Sequence, residues 1–235
     1  DGNDVTDQDS VPDKWNEGED DQDIEKVKVQ YFDLSLRKWV TQAIVTENGE
    51  DKIIESGHKA EDDPEDVVKV DLKKSKINKV TIKFRYKIRV KNEGNIAGYA
   101  KELKDYIPNG LKFVPEDNPL WKQIDEKTIT TDQTKDILLQ PGDTTEVEVV
   151  LTWINDSENF GVMDNWAEIS KDHNDFNSPD IDSTPDNNKK GEDDIDDAPV
   201  SVGVQTGQIK TFTTISLAVL VILSSGVVLI KKFVL

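Results

Sequence analysis

The sequence contains no cysteine and only two histidines, and these absences exclude several kinds of site. Without cysteine there is no disulfide and no cysteine-ligated zinc. His58 and His173 lie far apart in polar stretches, so neither a histidine metal cluster nor a Ser-His-Asp triad is indicated. A glycine-rich phosphate loop is also missing. We therefore expect a protein that is not an enzyme and that has no cofactor. Calcium binding remains an open alternative.

Basic residues are scarce, with 29 lysines and arginines against 48 acidic residues and a net charge of −19. The excess acid lies in two segments. Residues 1–25 hold eleven acids and one lysine, and residues 172–198 hold ten acids and two lysines. Such a chain repels polyanions, so we expect no nucleic-acid partner.

Long helical periodicity is missing from the chain up to residue 202. Short alternating stretches stand there instead, separated by turns rich in Gly, Pro, Asn and Asp. The clearest is KVTIKFRYKIRVK (79–91), in which apolar residues alternate with basic ones and predict a strand with one solvated face. Many short strands of this kind predict an all-β sandwich.

One lysine stands on the apolar face of a predicted strand. Alternation along 32–45 places Lys38 on the face that is otherwise apolar, together with Phe32, Leu34, Leu36, Val40 and Ile44. Burial disfavours the charged form and lowers the pKa of a lysine, and a neutral amine is a nucleophile.

The same alternation places Asp105 beside Leu103 and Ile107, and Asn165 beside apolar residues of its own strand. A lysine, an asparagine and a carboxylic acid are the groups that an intramolecular isopeptide bond requires. The amine attacks the amide carbon, a protonated carboxyl polarises the amide oxygen and shuttles protons, and ammonia leaves.

Each of these residues also has an ordinary interpretation. Lys38 could bury its stem and keep its ammonium group in water. Asp105 could cap the turn at residues 108–110, and Asn165 could hydrogen-bond a loop. The pattern alone leaves both interpretations open.

The acidic segments are copies of each other. Residues 7–29 align with residues 180–202 without a gap, and 12 of the 23 positions are identical, Gly and Pro included. This repetition predicts that residues 1–23 are the acidic tail of a preceding repeat, in a tandem array with a period near 173 residues.

The second acidic segment offers a possible calcium site. Oxygen ligands cluster at Asp180, Asp182, Asp186, Glu192, Asp193 and Asp194. The spacing is not that of an EF-hand, and a solvated, self-repelling linker is the alternative.

The C-terminal part of the sequence is a long hydrophobic stretch, unlike the rest of the chain. Residues 211–230 are uncharged, and as a helix they would span about 30 Å, the thickness of a bilayer core. Two lysines follow directly. We expect a C-terminal transmembrane helix at 211–230, a cytoplasmic tail at 231–235 and the N-terminal side outside the cell.

Several motifs of the chain are informative in combination: FDLSLRKWV, VKNEGNIAGYAKELKDYIPNGLKF, QPGDTTEVEVVLTW, NWAEIS and DIDSTPDNN followed by EDD. Together they resemble the repeated domains of Gram-positive bacterial surface proteins, Ig-like modules related to isopeptide-forming pilins and collagen adhesins. The resemblance implies a Greek-key Ig-like β-sandwich over 24–202, with the acidic segment 172–198 inside it. It also implies roles for Lys38 as the first-strand lysine, Asp105 as the assisting acid and Asn165 as the acceptor.

Residues 203–210 resemble a sortase sorting signal. Thr206 and Gly207 fit the pattern Leu-Pro-x-Thr-Gly, whereas Gly203 and Val204 stand where Leu-Pro belongs. The resemblance implies a bacterial surface stalk or adhesin, anchored in the membrane or linked to peptidoglycan by a sortase, with a host or matrix protein as a possible ligand. The alternative from another class is a calcium-binding module whose acidic segments stiffen a tandem array.

Overall fold

The computed structural model describes residues 24–62, 66–156 and 158–205. The chain divides into two units, Asp1–Gln30 and Tyr31–Leu235. In the first unit, residues 24–30 form no helix or strand and are exposed. The sandwich therefore begins at about residue 31, seven residues after the predicted boundary.

The second unit is a β-sandwich of two sheets, as the alternating stretches predict. Its order is β2-β1-β4-β9-β6 in one sheet and β3-β11-β10-β5-β8-β7 in the other. The strands are β1 (Leu34–Glu47), β2 (Glu50–Glu55), β3 (Val68–Lys73), β4 (Val80–Asn92), β5 (Tyr99–Tyr106), β6 (Leu111–Phe113), β7 (Lys122–Gln123), β8 (Thr128–Thr131), β9 (Thr144–Trp153), β10 (Gly161–His173) and β11 (Ile195–Gln205), with short 3-10 helices at Lys74–Lys79 and Pro115–Asp117.

The pairings are antiparallel except that of β3 with β11, which is parallel. A parallel pair needs a long crossover, and here the chain between the two strands passes through both sheets. As a consequence β11 lies inside its sheet, between β3 and β10. Its inward residues Ala198, Val200 and Val202 have no exposed surface.

The core lies between the two sheets and is built from the alternating residues of both. From β4, Ile82, Phe84, Tyr86 and Ile88 are fully buried, as the alternation predicts. The basic residues of β4 lie on the outer face, where Arg85 pairs with Glu148 at 3.0 Å and Lys87 with Glu146 at 2.9 Å, both of β9.

Strand β1 follows the predicted alternation only as far as Val40. Phe32, Leu36 and Val40 have no exposed surface. Between Val40 and Gln42 the pairing of β1 with β4 shifts by one residue, and Ala43 turns into the core. The prediction that Ile44 faces the core is therefore wrong, because a β-bulge reverses which residues face inward.

The acidic segment is part of the sandwich and not a solvated linker. Backbone N–H groups of β1 donate to it at three alternate positions. Leu34 donates to Asp180 Oδ2, Leu36 to the carbonyl of Asp193 and Lys38 to Asp196 Oδ2, each at 2.7 Å. The segment thereby covers the part of β1 that β2 leaves unpaired.

No helix within the described residues has the length and hydropathy of a membrane span. The predicted span at 211–230 lies outside them, as do the tail at 231–235 and residues 1–23.

Candidate crosslinking and cation sites

Three buried polar side chains meet between the two sheets. Lys38 lies in the middle of β1, while Asp105 and Asn165 lie on β5 and β10, which are neighbours in the other sheet. Lys38 is 2% exposed, and the other two have no exposed surface. The structure thus brings together the three residues that alternation placed on apolar faces, and Lys38 does not extend its ammonium group into water.

The three side chains form a closed triangle of hydrogen bonds. Lys38 Nζ donates to Asp105 Oδ2 at 2.5 Å and to Asn165 Oδ1 at 2.5 Å. Asn165 Nδ2 donates to Asp105 Oδ1 at 2.7 Å and to the carbonyl of Tyr106 at 3.1 Å. Every polar group of this buried set therefore has a partner, which offsets the cost of removing it from water.

The geometry places the amine next to the carbon that it would attack. A carbonyl bond is about 1.2 Å long, so Nζ of Lys38 lies within about 3.7 Å of the Asn165 amide carbon. Reacting atoms at about 3–3.5 Å are typical of a near-attack arrangement. One detail differs from expectation, because Asp105 contacts the amide nitrogen of Asn165, while the lysine contacts the amide oxygen.

The surroundings favour a neutral amine. Burial lowers the pKa of Lys38, and the negative charges of Asp105, Asp196 and Asp197 oppose this shift without cancelling it. The ring of Tyr86 lies 5.0 Å from Nζ and adds a favourable cation–π contact for the charged form. The pKa of Lys38 is therefore below its ordinary range, which suits a nucleophile.

Two alanines stand next to members of the triangle in its sheet. Ala167 of β10 lies directly opposite Asp105, and Ala198 of β11 lies directly opposite Asn165. Both alanines are fully buried. Larger side chains at these two positions would occupy the space in which the carboxyl and the amide meet.

A second polar site lies where β1 begins. Carboxylate oxygens of Asp33, Asp180, Asp182 and Asp193 lie within 4.8 Å of one another. Three of these residues belong to the predicted calcium set. Asp33 is a residue that the sequence reasoning missed, because its proximity depends on the long-range contact of β1 with the acidic segment.

Burial and the repulsion of neighbouring carboxylates raise the pKa values of Asp33 and Asp193. The pKa of Asp33 rises to about 6, through burial first and then through Asp180 and Asp182. The pKa of Asp193 rises to about 7, through burial and then through Asp182 and Asp33. Among the described residues, Oδ1 of Asp33 and Oδ1 of Asp193 are buried without a hydrogen-bond partner.

The other predicted calcium ligands lie apart from this cluster. Asp186 forms an ion pair with Lys104. Glu192 accepts hydrogen bonds from Lys189 Nζ and Asn187 Nδ2, each at 2.7 Å. Asp194 does not belong to the cluster of four, and the charge that acts on it most strongly is that of Glu168. The predicted set of six is therefore divided among separate places.

Asp194 belongs to a small buried group that the sequence reasoning did not find. It is 1% exposed, and the described residues offer neither of its oxygens a hydrogen bond. Burial and the charge of Glu168 raise its pKa to about 7. Glu168 is fully buried and accepts hydrogen bonds from the Tyr106 hydroxyl at 2.5 Å and from the Asn187 backbone at 2.7 Å. Glu168 is a single glutamate within NWAEIS, and nothing in that motif predicts a buried carboxyl group.

The sorting-signal residues Thr206 and Gly207 lie outside the described residues. Strand β11 includes Gly203 and Val204, the two residues at the position of Leu-Pro.

No protein-family model matches the chain, and no curated protein matches it. Two solved structures that match are distant. The CARDB domain of PF1109 from Pyrococcus furiosus has 15% identity and a TM-score of 0.30, with 74% of this chain and 98% of that chain covered. The β-glucosidase from Listeria innocua in complex with glucose has 14% identity and a TM-score of 0.29, with 74% of this chain but only 16% of that chain covered. Similarities this low carry no argument about function.

Proposed function

We propose that the chain is a structural stalk or adhesin module of a bacterial cell-surface protein, an Ig-like Greek-key sandwich joined internally by an isopeptide bond between Lys38 and Asn165. The observation that supports it is the hydrogen-bonded triangle of Lys38, Asp105 and Asn165 across the two sheets. The motif resemblance to Gram-positive surface repeats agrees with it. A salt bridge alone would explain Lys38 and Asp105, but it would not require the amide of Asn165 to contact both.

The reaction balances within the three side chains. Lys38 gives a proton to Asp105, and the neutral amine attacks Cγ of Asn165. The bond from Cγ to Nδ2 breaks as Asp105 returns a proton to Nδ2, which leaves as ammonia. The attacking nitrogen gives up a second proton to Asp105, so the products are a secondary amide, ammonia and a neutral carboxylic acid. No oxidant or cofactor is consumed, and each molecule reacts once, so the protein is not an enzyme in the usual sense.

The burial of the site supports this chemistry in two ways. It lowers the pKa of Lys38, which increases the fraction of neutral amine. It also excludes water, which would otherwise compete for the polarised amide and solvate the amine. Asp105 contacts both the nitrogen that attacks and the nitrogen that leaves, so one carboxyl can serve both proton transfers.

Intact-mass spectrometry tests the bond directly. The purified chain should weigh about 17 Da less than its sequence requires, because one ammonia is lost. Digestion should yield one branched peptide that joins the segments around Lys38 and Asn165. The variant Asp105→Asn keeps both reacting groups and should show the full mass. An uncorrected mass in the parent protein, after prolonged incubation in the folded state, would contradict the proposal.

Calcium binding is a second candidate function, favoured by the cluster of Asp33, Asp180, Asp182 and Asp193. Calcium binds several carboxylate oxygens in a flexible geometry. Burial raises the pKa values of Asp33 and Asp193, and repulsion from neighbouring carboxylates adds to this effect; a cation there would neutralise the repulsion. Because Asp33 belongs to the start of β1 and the others to the acidic segment, the ion would join the two and stiffen the array.

Titration calorimetry with calcium tests this function. We expect binding by the parent chain, and loss of it in Asp33→Asn. The matched control is Asp186→Asn, which removes an acidic residue of the same segment that is paired with Lys104 outside the cluster. Absence of heat, together with an unchanged melting temperature in excess calcium, would eliminate calcium binding.

Attachment to the cell is the remaining part of the proposal. The segment 211–230 would anchor the protein in the membrane with its N-terminal side outside, and cleavage after Thr206 by a sortase would instead join it to peptidoglycan. Fractionation of cells that express the chain distinguishes the two, since a sortase-deficient strain shifts only the peptidoglycan-linked form. Binding to a host or matrix protein would be measured on the same cells.

A further inference from the structure

We infer that residues 24–30 supply the last strand of a second β-sandwich of this same kind. The partner surface is thus a sandwich that lacks its own final strand, located earlier on the same polypeptide. This inference does not depend on the isopeptide bond or on calcium binding.

The first observation is the repetition in the sequence. Residues 7–29 align with 180–202, which in the sandwich comprise the acidic segment and most of β11. The acidic residues with structural roles recur. Asp7, Asp9 and Asp20 stand at the positions of Asp180, Asp182 and Asp193, and Asp23 at that of Asp196, whose side chain accepts the Lys38 N–H. The repetition therefore extends to residues that hold β1 in place.

The second observation is a difference in burial at matching positions. Val27 and Val29 are 82% and 70% exposed. Their counterparts Val200 and Val202 have no exposed surface. Two valines that alternate with lysines match the pattern of a strand with one buried face. Burying these two side chains removes apolar surface from water, so the segment gains by joining a sheet.

The two strands that flank β11 indicate which binding position segment 24–30 requires in the preceding sandwich. Val200 pairs with Met163 of β10 and with Val68 of β3, and β11 is antiparallel to the first strand and parallel to the second. Segment 24–30 therefore requires an open position between two strands that correspond to β10 and β3. An ordinary exposed sheet edge would satisfy only one side of it.

The alignment also locates the junction between repeats. Strand β11 continues to Gln205, and the same offset places the end of the preceding strand at Phe32. Phe32 is already a fully buried residue of the next sandwich. The last strand of one repeat therefore leads directly into the first strand of the next, and no linker separates them.

One aligned position carries a charged residue in the N-terminal segment and a small apolar residue in the sandwich. Glu25 stands at the position of Ala198, the buried residue opposite Asn165. A glutamate fits there only if the preceding sandwich has a different residue opposite it. A test that builds the preceding sandwich from this one therefore needs a Glu25→Ala version.

The experiment extends the full chain at its N-terminal side. Residues 31–179 are joined directly to residue 7 of the chain, so that 7–29 take the position of 180–202 in the added copy. Amide exchange of residues 24–30 is compared with that in the unextended chain. A control fusion carries 180–202 in place of 7–29 and shows the protection that a native last strand gives.

We expect exchange in 24–30 to slow by about 100-fold or more in the Glu25→Ala fusion, because those amides join a sheet. Adding Val27→Asp and Val29→Asp should remove the protection and leave the downstream sandwich unchanged. The inference is overturned if 24–30 exchange at the unextended rate in both the Glu25 parent and the Glu25→Ala fusion while the control is protected. Concentration-dependent protection in the unextended chain would also overturn it, because the strand would then pair between molecules.

Discussion

Preventing the crosslink should lower the stability of the sandwich by an amount that the sequence separation sets. The perturbation is the pair of substitutions Lys38→Met and Asp105→Asn. Methionine preserves the apolar stem, and asparagine is close in shape to aspartate. The pair therefore removes the amine without leaving a buried charge unpaired, which would itself cost several kcal/mol.

The magnitude follows from the loop that the bond closes. Lys38 and Asn165 are 127 residues apart. The chain-entropy relation for a crosslink of that span gives about 5 kcal/mol at 25 °C. For a domain of this size 1 kcal/mol corresponds to about 2–4 °C, so the melting temperature should fall by about 10–20 °C.

The assay is thermal unfolding followed by circular dichroism, with the mass of each sample measured beforehand. The single variant Asp105→Asn should unfold at a similar or lower temperature than the pair, since it leaves Lys38 buried beside a neutral amide. The matched control is Lys104→Met, which removes a lysine from the outer face of β5. Its ion pair with Asp186 is partly exposed, so we expect a change of about 0–1 kcal/mol and the full loss of ammonia.

A specific result would refute this reasoning. If the parent protein shows the mass loss and the paired variant unfolds within about 3 °C of it, the crosslink does not restrict the unfolded chain as the entropy relation requires. If the parent shows no mass loss and is still far more stable than the pair, the triangle stabilises the sandwich through hydrogen bonds alone.

Three further outcomes are expected. In a chelator, the melting temperature should decrease from pH 5 to pH 8. The folded pKa values of Asp33, about 6, and Asp193, about 7, exceed the unfolded ones, so their contribution is present at low pH and lost as pH rises through that range. Added calcium should raise the melting temperature most at pH 8, and a flat profile in chelator would contradict this electrostatic account. Gly98→Ala should destabilise by about 1–3 kcal/mol in urea unfolding, because its Cβ would overlap the Phe32 ring and lie 2.9 Å from the His173 carbonyl; an unchanged midpoint would show that the backbone there can move.

Alternation correctly predicted that Lys38, Asp105 and Asn165 face the core, because each lies within a regular stretch of strand. Lys38, Asp105 and Asn165 are flanked by apolar residues two positions away, and in a sandwich such faces can only point at the other sheet. The spacing of residues along each strand could not show that these three side chains meet between the two sheets. That required the order of the sheets, which depends on contacts between distant segments.

Each residue that the sequence analysis misplaced or missed has an identifiable structural cause. Ile44 was wrongly predicted to face the core, because a bulge inserts one residue after Val40. No residue type in that stretch predicts the bulge. Asp33 was missed because its partners Asp180, Asp182 and Asp193 are about 150 to 160 residues away. The charge of the acidic segment left a solvated linker open as an alternative, although the motif resemblance placed the segment inside the sandwich. Its backbone hydrogen bonds hold it against β1. Net charge is informative about solubility and partners, and it says little about whether a segment packs.

The position of Lys38 near the start of the sandwich determines how a joined molecule would respond to tension applied at its two ends. Force entering at residue 31 would pass through the first strand to Lys38, cross to Asn165 and leave through the last strand. The chain between these two residues, which are 127 positions apart, would carry none of it. Complete extension would then yield roughly 160 Å per domain, compared with roughly 600 Å for an unjoined chain. A shaft of such domains would stretch little and return quickly when the tension is released.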